Sequence, residues 1–267
     1  MSTSDISFTS LGLVVLDEIR VADQTPLTNV VGGSGVYAKD FKYTTPVLAV
    51  QDSSIASTAL LGSNVFHYLH TPHDIKPRIE SLLALRQKAG ITNRPLIIWE
   101  PAPPSCQSEN LQTCLEAAAL VDVFSPNHLE LAAFFEESLS LSPSASASEE
   151  YSEKDQTKTK IEELALKFLE RGVGPSGNGL MLIRAGELGC LLRSRTLPSP
   201  VWIPPFYDPD SDSKPPKQHA KVIDPTGAGN AFLGAFAVGY LKTGGSVVEA
   251  ACYGSVGASF ALEQVGI

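Results

Sequence analysis

Seven residues near the C-terminus, Asp224-Pro225-Thr226-Gly227-Ala228-Gly229-Asn230, constrain this chain more than any other stretch. β-Branched Val222 and Ile223 precede them, and an apolar run from Ala231 to Tyr240 follows. The pattern predicts a strand, a glycine-containing turn and the start of a buried helix within a few residues. Such a turn aims unpaired backbone N–H groups and the positive end of the helix dipole at one point, which is where an anion binds.

The remainder of the chain sets the limits within which that turn works. With 267 residues, 43% of them hydrophobic, there is material for one large α/β domain or two small ones around a substantial core. A formal charge of -9 argues against a nucleic-acid surface, because neutralising phosphates needs a basic patch. A small nucleotide-type ligand held by backbone groups remains compatible with an acidic protein. No apolar run reaches the roughly 18 to 20 residues that span a bilayer, and Met1 to Asp5 lack the basic start and apolar core of a secretory signal. The expectation is a soluble protein of the cytoplasm or nucleus, with no membrane partner. Cys106, Cys114, Cys190 and Cys252 are scattered without a C-x-x-C pair, which reads as reduced, structural thiols.

In chain order, Phe8 to Ile19 reads as an apolar strand ending at Asp17. A carboxylate at the C-terminal edge of a central strand sits where open α/β sheets bind ligands, although Asp also ends strands in plain turns. Gly32 and Gly33 open the run Gly32 to Ala38, where paired glycines let a ligand approach the backbone. The same letters fit Gly-x-Gly-x-x-Ala, but the strand before them ends too far upstream for a dinucleotide site. A helix opened at Gly35 has little room, since Thr45 precedes Pro46 and is a stop. Strands are expected at 46–50 and 63–70. His67, His70 and His73 recur every third residue, a spacing that on a strand alternates faces and so does not build a metal site. A helix over 74–89, strand over 95–100, helix over 109–120 and strand over 121–124 then alternate as in a parallel doubly wound sheet.

Asn127 and Glu130 follow that last strand. They suit a helix N-terminus with a capping box, and as an oxygen-donor pair beside a phosphate they also suit Mg²⁺, which keeps most of its waters. Residues 138–160 and 208–220 are polar and read as disordered or loop insertions. Between them a helix at 161–169 and a buried strand at 180–184 lead into Gly186-x-x-Gly189, a hairpin turn that could expose backbone to a ligand. A small-residue helix over 246–264 closes the chain.

Taken together, Asp-x-Thr-Gly-Ala-Gly at 224–229, Gly12 with Asp17, Gly32-Gly33, Asn127-x-x-Glu130 and Gly186-x-x-Gly189 resemble the motifs of the pfkB (ribokinase-like) family of small-molecule kinases, in family order. Trp-Glu-Pro at 99–101 and Ser-Pro-Asn at 125–127 place it nearest the fungal branch related to the maintenance-of-killer proteins. The resemblance implies a single ribokinase-like domain over 1–267, α/β with a doubly wound, mainly parallel sheet. It implies ATP as phosphoryl donor, Mg²⁺ and K⁺ as ions, and a small hydroxyl-bearing sugar or nucleoside as acceptor. By the same likeness, Gly227, Ala228 and Gly229 cradle the transferred phosphoryl group, and Gly186 and Gly189 lie beneath the nucleotide. Asp17, Gly32 and Gly33 position the substrate, Asn127 and Glu130 serve Mg²⁺ and phosphate, and Asp224 and Thr226 serve the monovalent cation.

Two departures qualify the likeness. Where the family carries its catalytic Asp, this chain carries Asn230, whose neutral amide has no useful basicity. Between Ala38 and Tyr43 the family's full helix, further strand-helix units and small β lid are missing. The expectation is therefore an ATP-binding kinase homologue with weakened or lost phosphotransfer. The alternative is a non-catalytic interaction protein that retains the fold.

Overall fold

The computed structural model describes residues 8–11, 13–19, 27–32, 48–139, 147–207 and 221–264. Among them the strands are β1 (Phe8–Ser10), β2 (Leu13–Ile19), β3 (Leu27–Gly32), β4 (Leu48–Ala49), β5 (Val65–His70), β6 (Leu96–Pro101), β7 (Val123–Phe124), β8 (Leu180–Arg184), β9 (Cys190–Arg193) and β10 (Val201–Ile203). The α-helices are α1 (Pro72–Lys88), α2 (Leu111–Ala118), α3 (His128–Ala133), α4 (Ala147–Arg171), α5 (Ala228–Lys242) and α6 (Val247–Leu262). Seven strands form one sheet in the order β1-β5-β6-β7-β8-β9-β10. The pairs β1-β5, β6-β7 and β7-β8 are parallel, whereas β8-β9 and β9-β10 are antiparallel. This is the mainly parallel α/β architecture that the alternation of strands and helices predicts. No helix among the described residues is long and apolar enough to cross a membrane.

Contacts divide the chain into two compact units. One comprises Met1–Leu69, Leu85–Asn93 and Phe206–Ile267, the other His70–Ala84 and Arg94–Pro205. In the second, Ile98 stands opposite Val123, and Val123 opposite Leu180, so the three parallel strands are in register at their middles. Ile97, Ile98, Trp99, Phe124, Met181 and Leu182 are wholly buried, as expected for strands covered on both faces. Trp99 packs on Phe124 at 4.7 Å between ring centroids and Phe124 on Phe168 of α4 at 5.1 Å, which ties the helix to the strands beneath it. The Trp99 indole N–H donates to the His70 carbonyl at 2.9 Å, so the ring's one polar atom is satisfied.

The first unit is built on the pairing of α5 with α6. Their approach is closer than side chains normally allow, because glycines line it. A Cβ at Gly239 would strike Tyr253, one at Gly254 would strike the Phe232 ring, and one at Gly257 would strike Ala235. The small-residue character of α6 is thus a packing requirement between two helices.

Several expectations need amending. The run Phe8 to Ile19 is two strands, since β1 pairs with β5 while β2 joins a separate antiparallel sheet of order β3-β2-β4. Leu11, at the break, still donates its amide to the His67 carbonyl at 2.7 Å. Asp17 therefore stands inside β2 opposite Val30, not at the C-terminal edge of a strand of the large sheet. This small sheet is formed by residues 13–19, 27–32 and 48–49, on either side of the Ala38 to Tyr43 junction where lid material is expected to be missing. Residues 147–160, read as part of a polar insertion, form the first turns of α4, because their Lys, Glu and Gln residues are strong helix formers. Val222 and Ile223 are not a strand; the Ile223 amide is held by the Leu262 carbonyl at 2.7 Å. Gly12, the run Gly33 to Ala38, the junction at Ala38 to Tyr43, and residues 140–146 and 208–220 lie outside the described residues.

The helix pair gives a direct test. Gly257→Val must push α6 away from Ala235 and is expected to cost about 1–3 kcal/mol in urea unfolding. Cys252→Ser, on the exposed side of the same helix, should stay within about 0.5 kcal/mol of the parent.

Candidate functional site

The sequence-predicted residues fall into two groups, one in each unit. In the second unit, β6, β7 and β8 run parallel and deliver Glu100, Ser125 and Arg184 to their C-terminal ends, the side on which open α/β sheets bind ligands. The Arg184 guanidinium lies 2.7 Å from Glu100 Oε1 through Nη1 and 3.6 Å from Glu130 Oε2 through Nη2. Nη2 also donates to the Ser125 carbonyl at 2.9 Å, and the Arg184 amide donates to the Pro126 carbonyl at 3.2 Å. Side-chain exposure is 11% for Arg184, 1% for Glu100 and 5% for Glu130, so these are charges withdrawn from water.

Asn127 and Glu130 are joined as the capping-box reading expects. Asn127 Oδ1 accepts from the Glu130 amide at 2.8 Å, and Glu130 Oε2 accepts from the Asn127 amide at 2.7 Å, closing the start of α3. Burial drives the Glu130 carboxyl up from its ordinary value of 4.5 to about 7. Arg184 and the Asn127 amide oppose that rise, while the like charge of Glu100 adds to it. Burial lowers the His128 imidazole, and raises the Cys106 thiol so far that it stays protonated and unreactive.

Whether this donor set suits a magnesium ion follows from which oxygens are already engaged. Asn127 Oδ1 and Glu130 Oε2 serve the helix cap, but Glu130 Oε1 is buried and has no hydrogen-bond partner. With both carboxylates ionised, the two acids and one guanidinium leave a net charge of about -1. One available oxygen in a negative environment suits an ion that keeps most of its waters and takes its other ligands from phosphate. The residues fit such an ion, held chiefly through water. Among the described residues, no three His, Cys, Asp or Glu side chains cluster to hold a metal by themselves.

Gly186 and Gly189 bracket a 3₁₀ turn between β8 and β9, immediately after Arg184. Gly189 has φ +85°, and a Cβ there would collide with the Ile203 carbonyl. The hairpin itself thus requires this glycine, whether or not a nucleotide lies above it.

In the first unit, Asp224 to Asn230 form the turn that begins α5. Asp224 Oδ1 accepts from the Thr226 amide at 2.9 Å, an Asx turn that folds the chain back. Gly227, at φ +81°, is the N-cap of α5, a left-handed conformation that favours glycine. The Ala228 amide donates to the Pro225 carbonyl at 3.2 Å and the Ala231 amide to the Gly227 carbonyl at 2.9 Å. The amides of Gly229 and Asn230 lie between these, in the first turn of α5. Fifteen residues of helix dipole stand behind them. Gly32 ends β3 opposite Val15, and Asp17 lies two residues further along β2.

Glu100, noted in the sequence only as part of Trp-Glu-Pro, and Arg184 are the residues to which motif reading gave no site role. Each is a charge at the end of an apolar strand, Leu-Ile-Ile-Trp-Glu and Leu-Met-Leu-Ile-Arg. That opposition of sign on strands destined to lie one apart is the signal that could have found them. A groove of about 420 Å³ lined by Leu166, Leu169, Arg193, Arg195, Pro198 and Pro200 lies elsewhere. Arg193 pairs with Met181 at the start of β8, so the groove is at the opposite end of that strand from Arg184.

Residues 49–267 match the profile of the pfkB family of carbohydrate kinases. Among curated proteins, an uncharacterised protein of Schizosaccharomyces pombe is 29% identical over 230 residues, covering 85% of this chain. Protein MAK32 of Saccharomyces cerevisiae is 26% identical over 245 residues, covering 86% of it. The chain spans 58% of the length of each of these relatives. Among solved structures, the adenosine kinase of Schistosoma mansoni with 2-fluoroadenosine superposes with a TM-score of 0.53 at 16% identity, over 81% of this chain and 56% of its own. An E. coli protein described as a ribokinase II, in apo form, gives 0.54 at 14% identity, over 97% and 94%. At these identities the likeness is one of fold, the ribokinase-like fold.

The perturbed carboxyl sets a pH dependence. Because folding raises the Glu130 value, its contribution to stability is complete below about pH 4.5 and is lost as pH rises through about 7. The size of the shift corresponds to on the order of 3 kcal/mol. Glu130→Gln keeps an acceptor for the Asn127 amide but cannot ionise, so urea unfolding either side of this window should show the loss in the parent and little of it in the variant.

Proposed function

We propose that this chain, which belongs to the pfkB family of carbohydrate kinases, binds ATP and has weakened or lost phosphoryl transfer to a hydroxyl of a sugar- or nucleoside-type molecule. The observation that carries this reading is Asn230 in the first turn of α5, directly after the Gly227-Ala228-Gly229 turn. A left-handed Gly227 at the N-cap of α5, followed by a neutral amide at the base position, supports this reading.

In this reading the Gly227-Ala228-Gly229 turn faces the phosphoryl group, where backbone donors fixed in advance stabilise developing charge without reorganising. Asp17, Gly32 and Gly33 orient the acceptor hydroxyl, and Asn230 holds it by a hydrogen bond without taking its proton. Gly186 and Gly189 present backbone to the nucleotide. Asn127 and Glu130 hold Mg²⁺ through water, and the metal when bound neutralises phosphate charge. Asp224 and Thr226 border the site for K⁺. Phosphoryl transfer depends mainly on positioning and electrostatics, so a missing base lowers the rate by roughly 10²- to 10⁴-fold and need not abolish it. The protein would act in the cytoplasm or nucleus, on a nucleotide and a small hydroxyl compound, with no nucleic acid or membrane partner.

A second reading, a non-catalytic interaction protein that keeps the fold, draws support from Asn230.

Thermal unfolding with and without ATP, followed by transfer assays on a panel of sugars and nucleosides, separates the two. ATP should raise the melting temperature of the parent, and Asn230→Asp should raise turnover roughly 10²- to 10⁴-fold. Absence of ATP stabilisation would sink the nucleotide reading. Binding without transfer in either protein favours the interaction protein.

A further inference from the structure

Arg184 is held more tightly than the end of a strand requires. Its guanidinium stands between two buried carboxylates, at 2.7 Å from Glu100 and 3.6 Å from Glu130, and is anchored to the Ser125 carbonyl at 2.9 Å. A guanidinium does not lose its proton in a protein, so this is a permanent positive charge in the space between the two acids. A divalent cation entering that space would face the guanidinium at short range and with little water to screen it. Independently, Glu130 Oε1 is buried without a hydrogen-bond partner, although the side chain is 95% withdrawn from solvent. That oxygen is the one a cation would take if the guanidinium were absent.

We propose that Arg184 is the resident counter-ion of this site. It is a positioning residue that fixes Glu100 and Glu130 and keeps a divalent ion from loading on the protein by itself, so that metal arrives only with the phosphates of the nucleotide. This rests on reading Asn127 and Glu130 as the metal and phosphate pair. The chemical consequence is a site that needs no free metal to be stable, because its carboxylates are already neutralised in part.

The test uses MgCl₂ and MnCl₂ alone, without nucleotide, at constant ionic strength, with melting temperature as the readout. The parent should not respond to either salt. Arg184→Met should melt lower than the parent in EDTA and recover much of the loss in a saturable manner as millimolar Mg²⁺ or Mn²⁺ is added. A structural role alone predicts a loss that metal does not restore, and that result overturns the proposal, as does a parent that responds as strongly as the variant. If Arg184→Met does not fold in EDTA, refolding in MgCl₂ supports the proposal and failure in both conditions overturns it. Adding Glu130→Gln to Arg184→Met should abolish the metal response; a response that persists places the ion elsewhere and overturns the assignment. ATP with EDTA and ATP with Mg²⁺ form a separate arm on the parent. Failure of ATP to bind there removes the nucleotide reading, while the metal titration still decides the role of Arg184.

Discussion

A guanidinium between two dehydrated carboxylates is the interaction on which the second unit depends. Removing the guanidinium leaves two uncompensated carboxylates among groups that water does not reach, which is far costlier than the network's net worth. Three parallel strands are needed to hold the arrangement, because Glu100, Ser125 and Arg184 belong to β6, the end of β7 and β8. The aromatic stack from Trp99 through Phe124 to Phe168 lies under the same strands and fixes their spacing. The capping box at Asn127 and Glu130 then ties the start of α3 to the charge network, since Glu130 serves both.

The first unit solves a different problem with different means. Among the described residues its Asp224 to Asn230 turn has no side-chain charge pair of that kind; it is built on the Asp224–Thr226 Asx turn and on a helix packed against α6. Glycines at 239, 254 and 257 allow the two helices to meet nearly backbone to backbone, and the Ile223 amide is tied to the C-terminal end of α6 at Leu262. A turn anchored at both ends in this way needs little reorganisation when a ligand arrives. Asn230 follows that turn in the first turn of α5.

Much of this was legible from residue pattern. Alternating apolar runs and helical periodicity predicted the mainly parallel sheet, Gly90, which takes φ +76° in the fold, marked the end of α1, and Asn-x-x-Glu announced the cap of α3. These features are local: each depends on residues within one or two turns of chain. The break at Leu11 was not legible, because an apolar run looks the same whether its second half keeps one partner strand or takes another. The helical start of α4 was obscured by the Ser-rich residues before it, and the glycine of Gly189 looked like a ligand feature when the Ile203 carbonyl already demands it. The pairing of Glu100 with Arg184 escaped notice for the same reason as Leu11: their partnership spans 84 residues of sequence and exists only because β6 and β8 flank β7.

The sequence by itself determined the family, the glycine turn and the identity of Asn230, since these are properties of residue type and short spacing. Tertiary structure decided that Glu100 and Arg184 belong with Glu130, that the Glu130 carboxyl is raised to about 7, and that Asp17 lies in a small antiparallel sheet. The physical reason is that charge pairing and desolvation depend on which strands become neighbours, and neighbouring strands are chosen by long-range packing that no local pattern encodes.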